Sequence, residues 1–166
     1  MNKKCKQMYC TNHAIDDSQY CTEHTHLKPS RTKKFYKEHS FYSTAGWKLL
    51  SKQIREKFPI CQRCNHQLSN VADHIYEIRL PTGMNYSMHE QNIQALCHSC
   101  HNTKTIKIQK TLIITRTEDD QEIIECTPQT FRVLRDEVHT IKQLHLIEEI
   151  ERKYKATTQE GNERKD

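Results

Sequence analysis

The chain is poor in the residues that build large cores and tight turns. Among its 166 residues there are 3 Gly, 4 Pro and 1 Trp, aromatics make up 7%, and the hydrophobic fraction is 34%. Globular domains reach roughly 45–50% once Gly is counted. Mean hydropathy is −0.93, so buried apolar area alone does not offset the entropy of ordering this chain. No run of 18 apolar residues occurs, which excludes a transmembrane helix. The opening MNKKCKQMYC is charged and has no apolar h-region, so no secretory signal is expected. Together these absences exclude a membrane protein, a secreted disulfide scaffold and a large enzyme. What is abundant is cysteine and histidine, with 8 and 11 copies. In a chain that is not secreted, such cysteines point to metal ligation rather than disulfides.

The formal net charge is +5, and it is unevenly placed: residues 1–60 carry +7, residues 61–110 carry +2 and residues 111–166 carry −4. Lys28, Arg31, Lys33, Lys34 and Lys37 crowd ten positions. That surplus is the electrostatic footprint expected for a polyanion partner, although a solvated basic linker has the same composition. The acidic C-terminal third suits contact with protein better than contact with DNA.

Five segments are expected along the chain. Residues 1–26 form a small metal knuckle, 27–40 a basic linker, 41–110 a core, 111–156 a β-hairpin and an amphipathic helix, and 157–166 a disordered tail. In the core, Trp47, Leu50, Ile54 and Phe58 recur at helical spacing. They predict a helix over 43–57, capped by Ser43 or Thr44 and ended by Pro59. Residues 71–76 and 92–96 read as short extended stretches, and 98–108 as a helix. An Asp119-Asp120 turn predicts a hairpin over 111–126. From Pro128, the residues Phe131, Leu134, Val138, Ile141, Leu144, Ile147, Ile150 and Tyr154 recur every three or four positions. They predict one long helix offering an apolar face to a core or a partner. The fold class is α+β.

Cys61-x2-Cys64 and Cys97-x2-Cys100 supply four thiolates for a closed tetrahedral Zn2+ site. Structural zinc of this kind contributes roughly 10–16 kcal/mol to folding in small peptides, which would compensate for a thin core. Cys5, Cys10, Cys21 and His24 form a second four-ligand set, with His13 and His26 competing for the fourth place. Cys126 is left over as a buried hairpin residue. Beside the inner knuckle lie Asp73-His74 on a strand, Asn92 in the returning segment and His101 directly after Cys100. Adjacent strand residues point to opposite faces. One of the Asp-His pair can therefore join His101 around a divalent ion while the other stays outside it as a base. A carboxylate with an imidazole suits Mg2+, Mn2+ or a similar ion that keeps several waters.

Cys61-Gln-Arg-Cys64, Val71-Ala-Asp73-His74-Ile75 and Asn92-Ile-Gln-Ala-Leu-Cys97-His-Ser-Cys100-His101-Asn-Thr-Lys104-Thr105 together resemble the His-Asn-His (HNH) endonucleases. The upstream Phe41-Tyr42-x4-Trp47-Lys48 and the N-terminal knuckle are similar to phage-encoded members, including those beside packaging-terminase genes. The resemblance covers residues 1–106. It implies a zinc-stapled, treble-clef-like ββα-metal core, with two short antiparallel strands packed on one helix. It also implies His74 as the general base, Asp73 and His101 as ligands of the catalytic ion, and Asn92 as the residue that ties the loop and helps to orient the base. Candidate DNA contacts are Lys33, Lys34, Trp47, Lys48 and Lys104. Some members carry a further His ligand where this chain has Thr105, which favours a two-ligand, water-rich site. The implied activity is metal-dependent nicking of double-stranded DNA. The implied partner is a packaging terminase large subunit or portal, in the cytoplasm of a bacterial host. A non-catalytic zinc-finger nucleic-acid-binding module, or a homing or restriction nuclease, would share much of this sequence.

Overall fold

The computed structural model describes residues 3–15, 19–27 and 40–163. Lys33, Lys34 and the basic linker lie outside the described residues. The chain divides into two units, Met1–Lys37 and Glu38–Asp166. In the first, a bridge between Lys4 and His13 and a 3-10 turn at Thr22–Leu27 bring three cysteines and a histidine together.

The second unit mixes helices with two small antiparallel sheets. Helix α1 (Ala45–Lys57) begins where Thr44 accepts a hydrogen bond from the Trp47 amide, and the Phe58 amide closes its end on the Ile54 carbonyl. Strands β1 (Val71–His74) and β2 (Ile93–Leu96) pair with Asp73 opposite Gln94 and His74 opposite Ile93. Helix α2 (His98–Gln109) follows directly, with Cys97 as its N-cap. Strands β3 (Leu112–Arg116) and β4 (Glu122–Cys126) form a separate hairpin, turning where Asp120 adopts a φ of 56°. Helices α3 (Pro128–Arg135) and α4 (Ile141–Glu163) complete the unit.

The β1 ladder is shorter than its sequence suggests because Asn92 takes over from strand pairing. Its carbonyl receives the Ile75 amide at 2.7 Å, and its side-chain oxygen receives the Tyr76 amide at 2.8 Å. The loop that follows folds back tightly at Gly83, where a Cβ would stand 2.2 Å from the Glu77 carbonyl oxygen.

The single long helix expected from Pro128 onward is instead two helices separated at residues 136–140. The apolar period runs through the break, so periodicity alone conceals it. Polar side chains produce it: Gln143 Oε1 accepts from the amides of His139 and Thr140 at 2.7 and 3.1 Å, and Thr140 Oγ1 accepts from the Gln143 amide at 3.2 Å. These bonds give α4 its own N-terminal cap.

The tail expected to be disordered from residue 157 also differs, since α4 runs on to Glu163. Lys153–Glu149 and Lys155–Glu151 pairs support its exposed side, and the Thr157 and Thr158 hydroxyls bond back to the Tyr154 carbonyl.

The apolar stripe of these helices is occupied within the chain. Phe131, Leu134, Ile147 and Ile150 bury themselves against Ile75, Tyr76, Leu80 and Ile108. Tyr154 Oη accepts from the Cys126 amide at 3.0 Å, tying α4 to the hairpin. A second cluster, Trp47, Ile54, Ala72, Ile93 and Ala95, packs α1 on the β1–β2 pair. No described helix is long and apolar enough to cross a membrane.

Because α3 and α4 are part of the core, truncating their buried side chains should destabilise the whole second unit. Phe131→Ala is expected to cost about 3–5 kcal/mol and Ile147→Ala about 2–5 kcal/mol in urea unfolding. Losses under about 1 kcal/mol would mean that these helices fold as a separate arm.

Candidate functional site

Two Cys-rich clusters can each hold a metal ion. The ligand atoms of Cys61, Cys64, Cys97 and Cys100 all lie within 4.8 Å of one another, as do those of Cys5, Cys10, Cys21 and His24. In the second set His24, rather than His13 or His26, stands with the sulfurs, its Nδ1 3.2 Å from Cys21 Sγ. Four soft donors in a closed group suit tetrahedral zinc.

In the inner knuckle, burial opposes ionisation of Cys61. Backbone N–H groups of Cys64, Cys97 and Arg63 outweigh it and bring that thiol down to about 6. Burial and the neighbouring thiols push Cys100 up to about 12. Four sulfurs so close cannot all carry charge without a cation among them. The knuckle also fixes the start of α2: Arg63 Nη1 donates to the Cys100 carbonyl at 3.0 Å.

Beside this knuckle, a cleft of about 640 Å³ is bordered by Trp47, Arg55, Asp73, His74, Arg79 and His101. Strand alternation sends Asp73 and His74 to different neighbours. Asp73 faces α2, where its Oδ1 lies 3.4 Å from His101 Nε2 and its Oδ2 lies 2.8 Å from Lys104 Nζ. His74 faces α1 and stacks on the Trp47 ring at 4.5 Å between centroids and 21° between planes. Phe41 and Tyr42 add tilted rings at 5.8 and 6.1 Å.

His74 Nε2 stands 2.8 Å from the Ser87 carbonyl oxygen. A carbonyl only accepts, so Nε2 carries the proton, and the neutral ring is left with an acceptor at Nδ1. Burial holds this imidazole below its ordinary pKa, against the opposing pull of the Ser87 carbonyl and Asp73. It is therefore neutral at pH 7.

Asn92 is wholly buried and spends its amide on the loop, donating to the carbonyls of Tyr76 and Tyr86 at 3.0 and 3.2 Å. The group on His74 is the Ser87 carbonyl, one residue beyond the carbonyl that Asn92 grips.

Two expected DNA contacts are placed otherwise. Lys104 is 0% exposed and is enclosed by Asp73, Glu77 and the His74 carbonyl, so its ammonium cannot reach a phosphate. Trp47 is buried against His74 and forms a wall of the cleft rather than a surface. Lys48 is exposed on α1.

Several participants carried no sequence motif. The Ser87 carbonyl is a backbone group and leaves no trace in residue type. Gln94 was findable, as the polar residue in an otherwise apolar strand and directly across from Asp73. Arg55 and Arg79 needed the cleft itself to distinguish them from other surface arginines.

No family model matches the chain, and no solved structure matches it. The Zorya protein ZorE of Escherichia coli is 37% identical over 57 residues, a stretch that covers 34% of this chain and 15% of that protein. The chain therefore matches only a small part of that relative's length. The likeness says nothing of DNA cleavage and leaves the packaging partner an expectation from the HNH resemblance.

The two clusters predict two zinc ions per purified chain, measured by inductively coupled plasma mass spectrometry. Cys21→Ser and Cys61→Ser are each expected to lower the count by one, and Cys61→Ser should also unfold the second unit. Unchanged zinc in either variant would refute the ligand set.

Proposed function

We propose that the chain is a metal-dependent DNA endonuclease of the HNH type, with β1, β2 and α2 as its ββα-metal core. The observation that carries this reading is the 2.8 Å contact of His74 Nε2 with the Ser87 carbonyl, which assigns the ring's tautomer. A buried, neutral imidazole has Nε2–H committed to the Ser87 carbonyl and Nδ1 free to accept a proton. It shares a cleft with an Asp73–His101 pair spaced at 3.4 Å. A base beside a carboxylate–imidazole pair is a set that nucleic-acid binding alone does not require.

Asp73 Oδ1 and His101 Nε2 are close enough to share one divalent ion, and the donor set, an oxygen and an imidazole nitrogen, fits Mg2+, Mn2+ or Ni2+. A bound ion there supplies electrostatic stabilisation of charge on the phosphate and the leaving 3′ oxygen. His74 Nδ1 takes the proton of the attacking water as the water oxygen approaches phosphorus. The imidazolium so formed keeps its Nε2–H bond to Ser87, which strengthens as the ring becomes charged. Trp47, Phe41 and Tyr42 hold the ring plane and exclude water from its faces. Arg55, at the cleft's border, is the cationic group offered to the DNA backbone, since Arg79 is paired with Glu77 at 2.6 Å. It takes the part that Lys104, buried and paired, does not. One base and one ion site cut one strand per encounter, so nicking is the elementary act.

Supercoiled plasmid incubated with the protein and Mg2+, Mn2+ or Ni2+ should convert to open circles, and EDTA should stop the conversion. His74→Ala should slow it by at least about 100-fold while both zinc ions stay bound. Cleavage that survives His74→Ala, or none in any ion with the fold and zinc intact, would overturn this reading.

A further inference from the structure

Asp73 is held by a chain of buried polar groups that ends in the C-terminal segment. Its Oδ2 accepts from Lys104 Nζ at 2.8 Å and from Gln94 Nε2 at 3.0 Å, while its Oδ1 faces His101. A carboxylate paired with an ammonium only accepts, so the NH2 end of Gln94 must face it and Oε1 must point away. That Oε1 lies 2.8 Å from His139 Nε2. A carbonyl oxygen also only accepts, so His139 Nε2 carries a proton. Each group's polarity is thus dictated by the next. Gln94 is 0% exposed, so bulk solvent does not reach its amide.

His139 belongs to the break at residues 136–140, and that break is fastened. The backbone amide of His139 donates to Gln143 Oε1 at 2.7 Å. Two residues earlier, the buried Glu137 pairs with Arg63 at 3.1 Å, and Arg63 in turn holds the Cys100 carbonyl beside His101. Burial, with Arg63 nearby, keeps His139 below its ordinary pKa, so at pH 7 one ring nitrogen is protonated and it is Nε2. The segment after β4 therefore reaches Asp73 through Gln94 and, through Arg63, the Cys100 carbonyl next to His101.

We propose that His139 is a positioning residue that acts through Gln94 on Asp73. The His139 N–H occupies Gln94 Oε1 and so commits the amide's donor end to Asp73 Oδ2. Oδ1 is then the one oxygen turned toward His101 and the ion. Without His139, the buried Oε1 lacks a donor and the amide is held from one end alone, so Asp73 Oδ2 loses a fixed partner. This inference rests on the reading of Asp73 and His101 as ligands of a divalent ion. It makes the C-terminal segment part of the site's support.

The test is Mn2+ affinity of the zinc-loaded full chain, by calorimetry, together with the His139 tautomer by long-range 1H–15N NMR. Wild type should show the Nε2–H tautomer and bind Mn2+. His139→Leu and Gln94→Leu should each weaken Mn2+ binding about 10-fold, and the double variant should be no weaker than Gln94→Leu. His139→Gln, which keeps a donor at the same reach, should restore near wild-type affinity. An Nδ1–H tautomer would overturn the relay even if every variant failed to fold. Wild-type Mn2+ affinity in folded His139→Leu would overturn the relay alone. Failure of wild type to bind Mn2+ would remove the ligand reading and the relay together.

Discussion

The second unit is organised around an ammonium group with no access to water. Burying a lysine costs several kcal/mol unless its charge is met. Lys104 is met by Asp73, by Glu77 and by the carbonyl of His74. Those three partners come from the end of β1 and the turn after it, and Lys104 from the middle of α2. The pairing therefore fixes how far along the helix the strand must sit. A slide of one residue would leave a charge without a partner and would turn Asp73 away from His101. Apolar contacts bring α2 and β1 together, but the buried charge sets their register.

Around that contact the site has three supports of different chemistry. The inner cysteine knuckle fixes the start of α2, so that His101 follows Cys100 at a set angle. The aromatic residues at and before the start of α1 enclose His74 on its ring faces. The loop between β1 and β2, pulled shut by Asn92, delivers the Ser87 carbonyl to the ring edge. None of these relies on a large hydrophobic core, in keeping with a chain of only 34% hydrophobic residues. The larger apolar cluster lies to one side, where α3 and α4 cover Tyr76 and Ile108. From that side His139 meets Gln94 of β2, which in turn donates to Asp73.

Much of this was legible in residue order. The two cysteine frameworks were readable because a metal knuckle needs its ligands at short, fixed spacings, and both groups of four do assemble. The helix over 45–57 was readable from its apolar period and from Thr44 and Pro59. Asp73, His74 and His101 were readable as candidates beside a knuckle, and the fold brings them to one cleft. The break at 136–140 was not, because Val138 and Ile141 preserve the apolar period across it and the break depends on where Gln143 and Thr140 point. The helical course of residues 157–163 was hidden by their polar composition.

The sequence by itself determined which residues can bind metal and which segments are regular. Ligand spacing and apolar period are properties of neighbours in the chain. Only the tertiary structure decided which partner each buried polar group received. Lys104 looked like a phosphate contact and became an internal counter-ion. Trp47 looked like a DNA contact and became the plate on which His74 lies. His139 had no evident use and came to rest against Gln94. The physical reason is common to all three. The direction and energy of a hydrogen bond or ion pair depend on what excludes water around it, and that is supplied by segments distant in the chain.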